Sequence, residues 1–139
     1  MPVEESVVIA RPAETVWDLV SNPSNEPRWC RKVKAVEPVG DRCWRVVHKP
    51  VPLRPAAELM VEHLELIPPQ RLTMLEEDAA SVVRVEYRLV RAPTGTRFTQ
   101  VSDFEWKQLP RILHPPFARG VRRDMRRQLQ ALKRILEQA

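Results

Sequence analysis

Hydrophobic and polar positions follow two different periods along this chain. The clearest alternation runs from Val83 to Leu89, where apolar and charged residues take turns. A period of two is typical of a strand with one buried face. Other runs rich in β-branched and aromatic residues predict further strands. They are Val3–Arg11, Val33–Val39, Cys43–Lys49, Ala57–Leu66, Arg71–Glu77 and Arg97–Trp106.

Two helical regions bracket these strands. Pro12 is predicted to begin the first helix, because its missing N–H would have no intrahelical partner there. Asn22-Pro23 ends that helix near Ser21, and Asn25–Trp29 adds one short turn. The last thirty residues form one long helix, in which apolar residues recur every three or four positions on one face. They are Phe117, Val121, Met125, Leu129, Leu132 and Leu136.

Length and composition favour one compact domain. The chain has 139 residues, of which 43% are hydrophobic and 29% charged, and we expect a single domain over 1–139. No signal peptide and no apolar run of membrane-spanning length stand out, so a cytoplasmic location is expected. Cys30 and Cys43 lack metal-site spacing, and the three histidines are widely scattered. We therefore expect free thiols, no metal and no cofactor.

The positive charge lies almost wholly in the last segment. Residues 107–139 carry nine Lys and Arg against two acids, whereas residues 1–106 have a small negative balance. Such a helix either presents a solvated basic face or contacts an anionic surface, cofactor or protein. Binding to nucleic acid is not expected, because no exposed aromatic residues are interleaved with the arginines.

The order of these elements resembles the START-like (SRPBCC, polyketide cyclase/dehydrase-like) superfamily over essentially the whole chain. The resemblance depends on element order and on loose local patterns. These are the Pro12–Trp17 helix start, Pro27-Arg28-Trp29, Pro68-Pro69-Gln70-Arg71-Leu72, Gly95-Thr96-Arg97 and the Leu132-Lys133 ending. The implied fold is an α+β helix-grip fold. In it, a curved antiparallel sheet of about seven strands wraps around the C-terminal helix, with short helices after the first strand.

The resemblance also implies an apolar cavity between the sheet and the last helix, which would bind or carry a small hydrophobic molecule such as a lipid, isoprenoid or polyketide. Residue type and alternation select the candidates for its lining. They are Trp29, Trp44, Met60, His63, Met74, Tyr87, Phe98, Phe104, Trp106, His114, Phe117, Val121 and Met125. Gln100 and Ser102 share a face with Phe98 and are expected to point into a wet cavity. Pro50–Pro55 is predicted to be a loop or an edge entry, placed where it would form a lip of this cavity. Gln108–Phe117 is either a gate of the cavity or a connector that packs against the sheet.

Two other functions stay open. Cyclase, aromatase or dehydratase chemistry in the same cavity would need a general acid or base. His48 is the first candidate because it shares a face with Trp44 and Val46, and Asp103 is the second, although strict alternation puts it opposite Phe104. The other alternative is an interaction module that uses the basic helix. Oligomeric state does not follow from the sequence.

Overall fold

The computed structural model describes residues 2–50, 56–107 and 109–138. The strands in these ranges are β1 (Pro2–Ile9), β2 (Val33–Gly40), β3 (Cys43–His48), β4 (Ala57–Ile67), β5 (Arg71–Glu77), β6 (Ser81–Ala92) and β7 (Gly95–Trp106). The α-helices are α1 (Ala13–Val20), α2 (Glu26–Trp29) and α3 (His114–Gln138), and single 3₁₀ turns form at Pro23–Asn25 and Arg111–Leu113. The predicted loop at Pro50–Pro55 lies outside the described residues except for Pro50.

The strands form one antiparallel sheet in the order β1-β7-β6-β5-β4-β3-β2. The longest pairing joins β6 and β7, from Ser81 opposite Trp106 to Ala92 opposite Gly95. The register shifts between His63 and Glu65 on β4, and such irregularities bend a strand and increase its twist. With the long last helix, this topology confirms the predicted helix-grip fold.

The short helices pack at separate places, α1 against β6 and β7 and α2 against β2 and α3. Pro12 precedes α1 as its capping residue, and its carbonyl oxygen accepts the Val16 N–H at 3.2 Å. Trp29, at the end of α2, is 2% exposed. Its ring meets the Tyr87 ring edge-on with 6.2 Å between centroids, and Tyr87 in turn lies 5.1 Å from Phe98. This aromatic series forms the middle of the hydrophobic core.

The two halves of α3 pack differently against the sheet. Leu129, Leu132 and Leu136 in its second half are fully buried, and Lys133 Nζ donates to the Val8 carbonyl oxygen at 2.7 Å. In the first half, Phe117 and Val121 are only half-buried. The helix is therefore held along β1 at its C-terminal end, while its N-terminal end leaves space above the sheet.

Most arginines of α3 lie on its exposed side, as the uneven charge predicted. Arg122 and Arg126 reach Glu5 of β1 at 3.5 Å and 2.9 Å. These pairs are solvent-exposed and contribute little to stability. Across the described ranges, none of the helices combines the length and the apolar character needed to cross a membrane.

Candidate functional site

A cavity of about 510 Å³ lies between the inner face of the sheet and the first half of α3. Its volume is within the range of small-molecule binding sites. The apolar lining residues are Ala57, Leu59, Ala79, Ala80, Val83, Phe104, Trp106, Leu109, Phe117, Val121 and Met125. The polar lining residues are Lys32, His48, Glu76, Asp78, Ser81, Gln100, Ser102, Asp124 and Gln128. The cavity is therefore amphipathic rather than uniformly apolar.

An aromatic group closes the end of the cavity where β7 leads into α3. Trp106 stacks on Phe104 with 4.9 Å between ring centroids and meets Phe117 edge-on at 4.5 Å. His114 lies behind Trp106, at 5.9 Å between centroids, and its Nε2 is 2.9 Å from the Leu109 carbonyl oxygen. These rings join the end of the sheet to the start of the helix, and Phe104, Trp106 and Phe117 line the cavity as an aromatic wall.

Buried amides and a hydroxyl line another part of the cavity. Gln100 and Ser102 of β7 are 8% and 3% exposed, and Gln128 of α3 is 9% exposed. The Gln100 Nε2 donates to Ser102 Oγ at 3.3 Å. The Gln100 Oε1 has no hydrogen-bond partner among the described residues. Gln100 and Ser102 thus line the cavity, as their place on the apolar face of β7 suggested.

Two carboxyl groups interact near the cavity: Glu26 is buried, and Glu76 is half-buried and lines the cavity. Burial raises the pKa of Glu26 to about 8, assisted by the negative charge of Glu76 and opposed by Lys32. Burial likewise raises the pKa of Glu76, which lines the cavity, and Asp78 adds to the rise while Lys32 opposes it. Glu26 therefore keeps its proton near neutral pH, and Glu76 keeps its proton to a higher pH than an exposed carboxyl group does.

The Asp78 side chain stabilises the turn between β5 and β6. Its Oδ1 accepts the backbone N–H groups of Ala80 and Ser81, both at 2.8 Å. These bonds shape the turn between β5 and β6, which forms part of the cavity wall.

Within residues 2–50, 56–107 and 109–138, no three His, Cys, Asp or Glu side chains form a group that could hold a metal ion. Cys30 and Cys43 are free thiols.

Six residues predicted for the site line this cavity: His48, Phe104, Trp106, Phe117, Val121 and Met125. Four other predicted lining residues are buried in the filled core instead: Trp29, Met74, Tyr87 and Phe98. Alternation places Met74, Tyr87 and Phe98 on the inner face of the sheet, but the cavity lies farther along, where α3 stands away from the strands. His114 touches the aromatic wall from behind rather than the cavity.

The Trp44 and His63 side chains form a separate pair, with 4.3 Å between ring centroids. Burial lowers the pKa of His63 to about 4, and the positive charge of Arg42 adds to the effect. His63 is therefore neutral near pH 7. Its Nε2 has no hydrogen-bond partner within the described part of the chain. This pair lies outside the lining of the cavity.

Met60 and Asp103 point away from the cavity, in contrast to their predicted roles. Met60 is 44% exposed because its neighbours Leu59 and Val61 face inward. Asp103 is exposed and lies between the inward-facing Ser102 and the cavity-lining Phe104. A strand side chain on the outer face cannot reach a guest under α3.

Sequence reasoning did not select Glu76, Lys32 and Gln128, although all three line the cavity. A signal for Glu76 was present, because it continues the alternation of the buried residues Leu72 and Met74 on β5. This signal was overlooked because glutamate side chains are usually exposed to solvent. Gln128 occupies a polar position beside the apolar stripe of α3, and the stripe alone does not reveal whether such a position faces a cavity.

A second, more open hollow of about 240 Å³ lies between α1 and the end of α3. It is lined by Thr15, Asp18, Leu19, Asn25, Arg28, Ile135 and Leu136. Asn25 Nδ2 donates to the Leu19 carbonyl oxygen at 3.2 Å at this place, which ties the turn before α2 to α1. The hollow contains none of the candidate acid or base residues and is less enclosed than the cavity under α3.

Residues 2–137 match the family model described as polyketide cyclase / dehydrase and lipid transport. The chain belongs to this family. A search of curated proteins finds no relative by sequence. The match covers every element from β1 to α3, so the START-like relationship expected from element order is confirmed. The family description includes both ligand transport and cyclisation or dehydration chemistry.

Solved structures of similar fold cover nearly the whole of this START-like chain. A START superfamily protein from Mycobacterium smegmatis has a TM-score of 0.84 at 16% identity, covering 99% of this chain and 97% of its own. A protein from Thermus thermophilus has a TM-score of 0.82 at 18% identity, with coverage of 98% and 97%. A conserved protein from Geobacillus kaustophilus has a TM-score of 0.80 at 15% identity, with coverage of 99% and 96%. At these identities the likeness concerns the fold.

Proposed function

We propose that this chain, as a single START-like domain, binds a small hydrophobic molecule in the cavity under α3 and shields it from water. The observation that carries the proposal is the cavity of about 510 Å³, at a place where a sheet and a helix would otherwise pack. A guest that buries roughly 200 Å² of apolar surface gains about 5 kcal/mol before the costs of association. Phe104, Trp106 and Phe117 offer it an aromatic wall.

The gate belongs to the same proposal. Leu109 lines the cavity, whereas Ile112 and Leu113 in the following turn are 83% and 47% exposed. Gln108, where the predicted gate segment begins, lies outside the described residues. A guest would enter past the segment from Leu109 to Phe117 once the contact between Trp106 and Phe117 opens.

Fluorescence titration with the neutral apolar dye N-phenyl-1-naphthylamine tests the proposal. Val83→Trp fills the cavity from β6 and should weaken dye binding at least tenfold, since Val83 is 6% exposed and lines the cavity. Val90→Trp is the matched control, because Val90 lies on the same strand but is 57% exposed. Circular dichroism checks that both variants fold. Absent saturable binding, or equal binding by both variants, would contradict the proposal.

One observation favours cyclase, aromatase or dehydratase chemistry as a second candidate. The cavity contains Glu76, a carboxyl group with a raised pKa, together with His48. A carboxyl group with a raised pKa keeps its proton to a higher pH and can donate that proton to a bound carbonyl or hydroxyl group. The test is cyclisation of a linear poly-β-ketone. Glu76→Gln and His48→Ala should each abolish turnover while N-phenyl-1-naphthylamine still binds. Absent turnover by the unaltered protein would exclude this chemistry for that substrate class.

A further inference from the structure

The cavity lining contains a group of uncharged polar side chains that an apolar guest alone does not explain. Gln100, Ser102 and Gln128 are each at least nine-tenths buried and line the same cavity as Val83 and Met125. Burial of an unpaired amide or hydroxyl group costs about 1–3 kcal/mol. Apolar side chains at these positions would enlarge the core without that cost. Of these three side chains in the described part of the chain, only Gln100 keeps a buried polar atom without a partner, and that atom indicates a polar partner within the cavity.

Gln100 gives the clearest evidence for a polar partner in the cavity. Its Nε2 donates to Ser102 Oγ at 3.3 Å, and its Oε1 has no partner among the described residues. Exchange of the amide oxygen and nitrogen, which hydrogen-bond networks decide, would pair Oε1 with the Ser102 hydroxyl and leave Nε2 unpaired. One polar atom of this side chain remains without a partner among the described residues in either orientation.

The charges around the cavity restrict the partner. Among the described residues that line it, Asp78 and Asp124 stand against one cation, Lys32, and Glu76 adds a third carboxyl group, whose pKa is raised by burial. A carboxylate or phosphate group on a guest would meet more carboxyl groups than cations there. A hydroxyl group carries no charge, can donate to a carbonyl oxygen such as Gln100 Oε1, and can also accept a hydrogen bond.

We propose that Gln100, Ser102 and Gln128 form a subsite for a hydroxyl group, so that the molecule bound under α3 is an apolar body with an alcohol or phenol group. The subsite rests on the proposed ligand-binding function and specifies its ligand class. Phe104, Val83 and Met125 contact the apolar body, and the Gln100 amide forms a hydrogen bond with the hydroxyl group. An uncharged hydrogen bond of this kind contributes about 1 kcal/mol, or about fivefold in affinity.

Three ligands that share one ring system test the subsite: naphthalene, 2-naphthol and 2-naphthoate. Calorimetric titration of the unaltered protein should give an affinity for 2-naphthol about fivefold higher than for naphthalene, and the weakest binding for 2-naphthoate. Gln100→Leu should reduce the ratio of 2-naphthol to naphthalene affinity to about one and leave naphthalene binding equal or stronger. Gln128→Leu should lower the same ratio. Gln130→Leu, at an exposed position of α3, should not change it.

The outcomes separate the subsite from the proposed function. Equal binding of naphthalene and 2-naphthol overturns the subsite but leaves the hydrophobic cavity in place. Tightest binding of 2-naphthoate overturns the choice of a neutral group. Failure of all three ligands and of N-phenyl-1-naphthylamine to bind overturns both proposals.

A measurement on the unaltered protein covers the case in which Gln100→Leu does not fold. The side-chain amide resonances of Gln100 in a ¹⁵N NMR spectrum should shift more with 2-naphthol than with naphthalene, because only the alcohol bonds to the amide. Equal shifts with both ligands would overturn the subsite.

Discussion

The indole ring of Trp106 meets the phenyl ring of Phe117 edge-on, with 4.5 Å between ring centroids. Trp106 is the last residue of β7 and Phe117 lies in the first turn of α3. Their contact thus joins the sheet to the part of the helix that stands away from it. Aromatic pairs of this geometry contribute about 0.5–1.5 kcal/mol beyond the area that they bury.

A double-mutant cycle should detect this contact. Trp106→Ala and Phe117→Ala together should cost about 1 kcal/mol less in the free energy of unfolding than the sum of the single changes. Urea denaturation measures all four proteins. Trp106→Ala combined with the distant Leu72→Ala is the control, and those costs should add. Strict additivity for Trp106 and Phe117 would mean that the rings do not stabilise the closed end.

The raised pKa of Glu26 should make the folded protein less stable as pH rises. Its pKa rises from an ordinary value of 4.5 to about 8, so the folded protein keeps a proton that the unfolded chain releases between these values. The free energy of unfolding therefore falls as pH rises through that window, by at most about 1.4 kcal/mol per pH unit for this one group. Glu76 acts in the same direction because its pKa is also raised.

Glu26→Gln should make this decline shallower, since a glutamine resembles the protonated carboxyl group and does not titrate. Urea denaturation at pH 6.5 and pH 8 measures the slope. Glu14→Gln is the control, because Glu14 lies exposed in the first turn of α1. An identical slope in Glu26→Gln and the unaltered protein would show that Glu26 is already ionised in the folded state.

The lowered pKa of His63 should make the free energy of unfolding increase with pH in a lower pH range. Its pKa falls from an ordinary 6.5 to about 4, so the unfolded chain binds a proton that the folded protein does not. Stability from this group is present above pH 6.5 and is lost as pH falls towards 4. His63→Phe should remove the loss while retaining a ring beside Trp44. NMR titration of His63 checks the cause directly, and a midpoint near 6.5 would contradict it.

The effects of Glu26 and His63 oppose each other between pH 4.5 and 6.5. As pH rises above 6.5, His63 of the unfolded chain also loses its proton, so the contribution of His63 fades and the decline caused by the carboxyl groups dominates. Measurements for Glu26 therefore belong above pH 6.5.

Two glycines predict opposite effects of the same substitution. Gly95 has φ +152°, and a Cβ atom there would lie 2.1 Å from the Ile9 carbonyl oxygen. Gly95→Ala should therefore cost about 2–4 kcal/mol through strain and overlap with the backbone. A Cβ at Gly120 meets nothing within 4 Å, and Gly120→Ala within α3 should stabilise by about 0.5–1 kcal/mol. Thermal unfolding compares the two, and equal shifts would contradict this account.

The periodicity of apolar residues in the sequence predicted the strands and helices, and it predicted which face of each element most side chains occupy. On β6, Val83, Val85 and Tyr87 are buried while Arg84 and Arg88 are exposed, as a strict period of two requires. The apolar stripe of α3 likewise turns toward the sheet. These features depend on the spacing of apolar residues within one strand or helix, and the sequence shows that spacing directly.

The depth of each side chain could not be predicted in the same way. Alternation places both Met74 and Phe104 on the inner face, but Met74 is fully buried in the core whereas Phe104 lines the cavity. The difference depends on where α3 departs from the sheet, which is a property of the whole fold. The buried carboxyl group of Glu26 was missed because composition offers no sign that a short helix carries it inward.

Intermolecular nuclear Overhauser effects between bound N-phenyl-1-naphthylamine and the methyl groups of the protein test the central claim most directly. The cavity under α3 predicts contacts from the dye to Leu59, Val83 and Met125. Contacts to Leu19, Ile135 and Leu136, which line the hollow between α1 and α3, or no contacts at all, would contradict ligand binding between the sheet and the last helix.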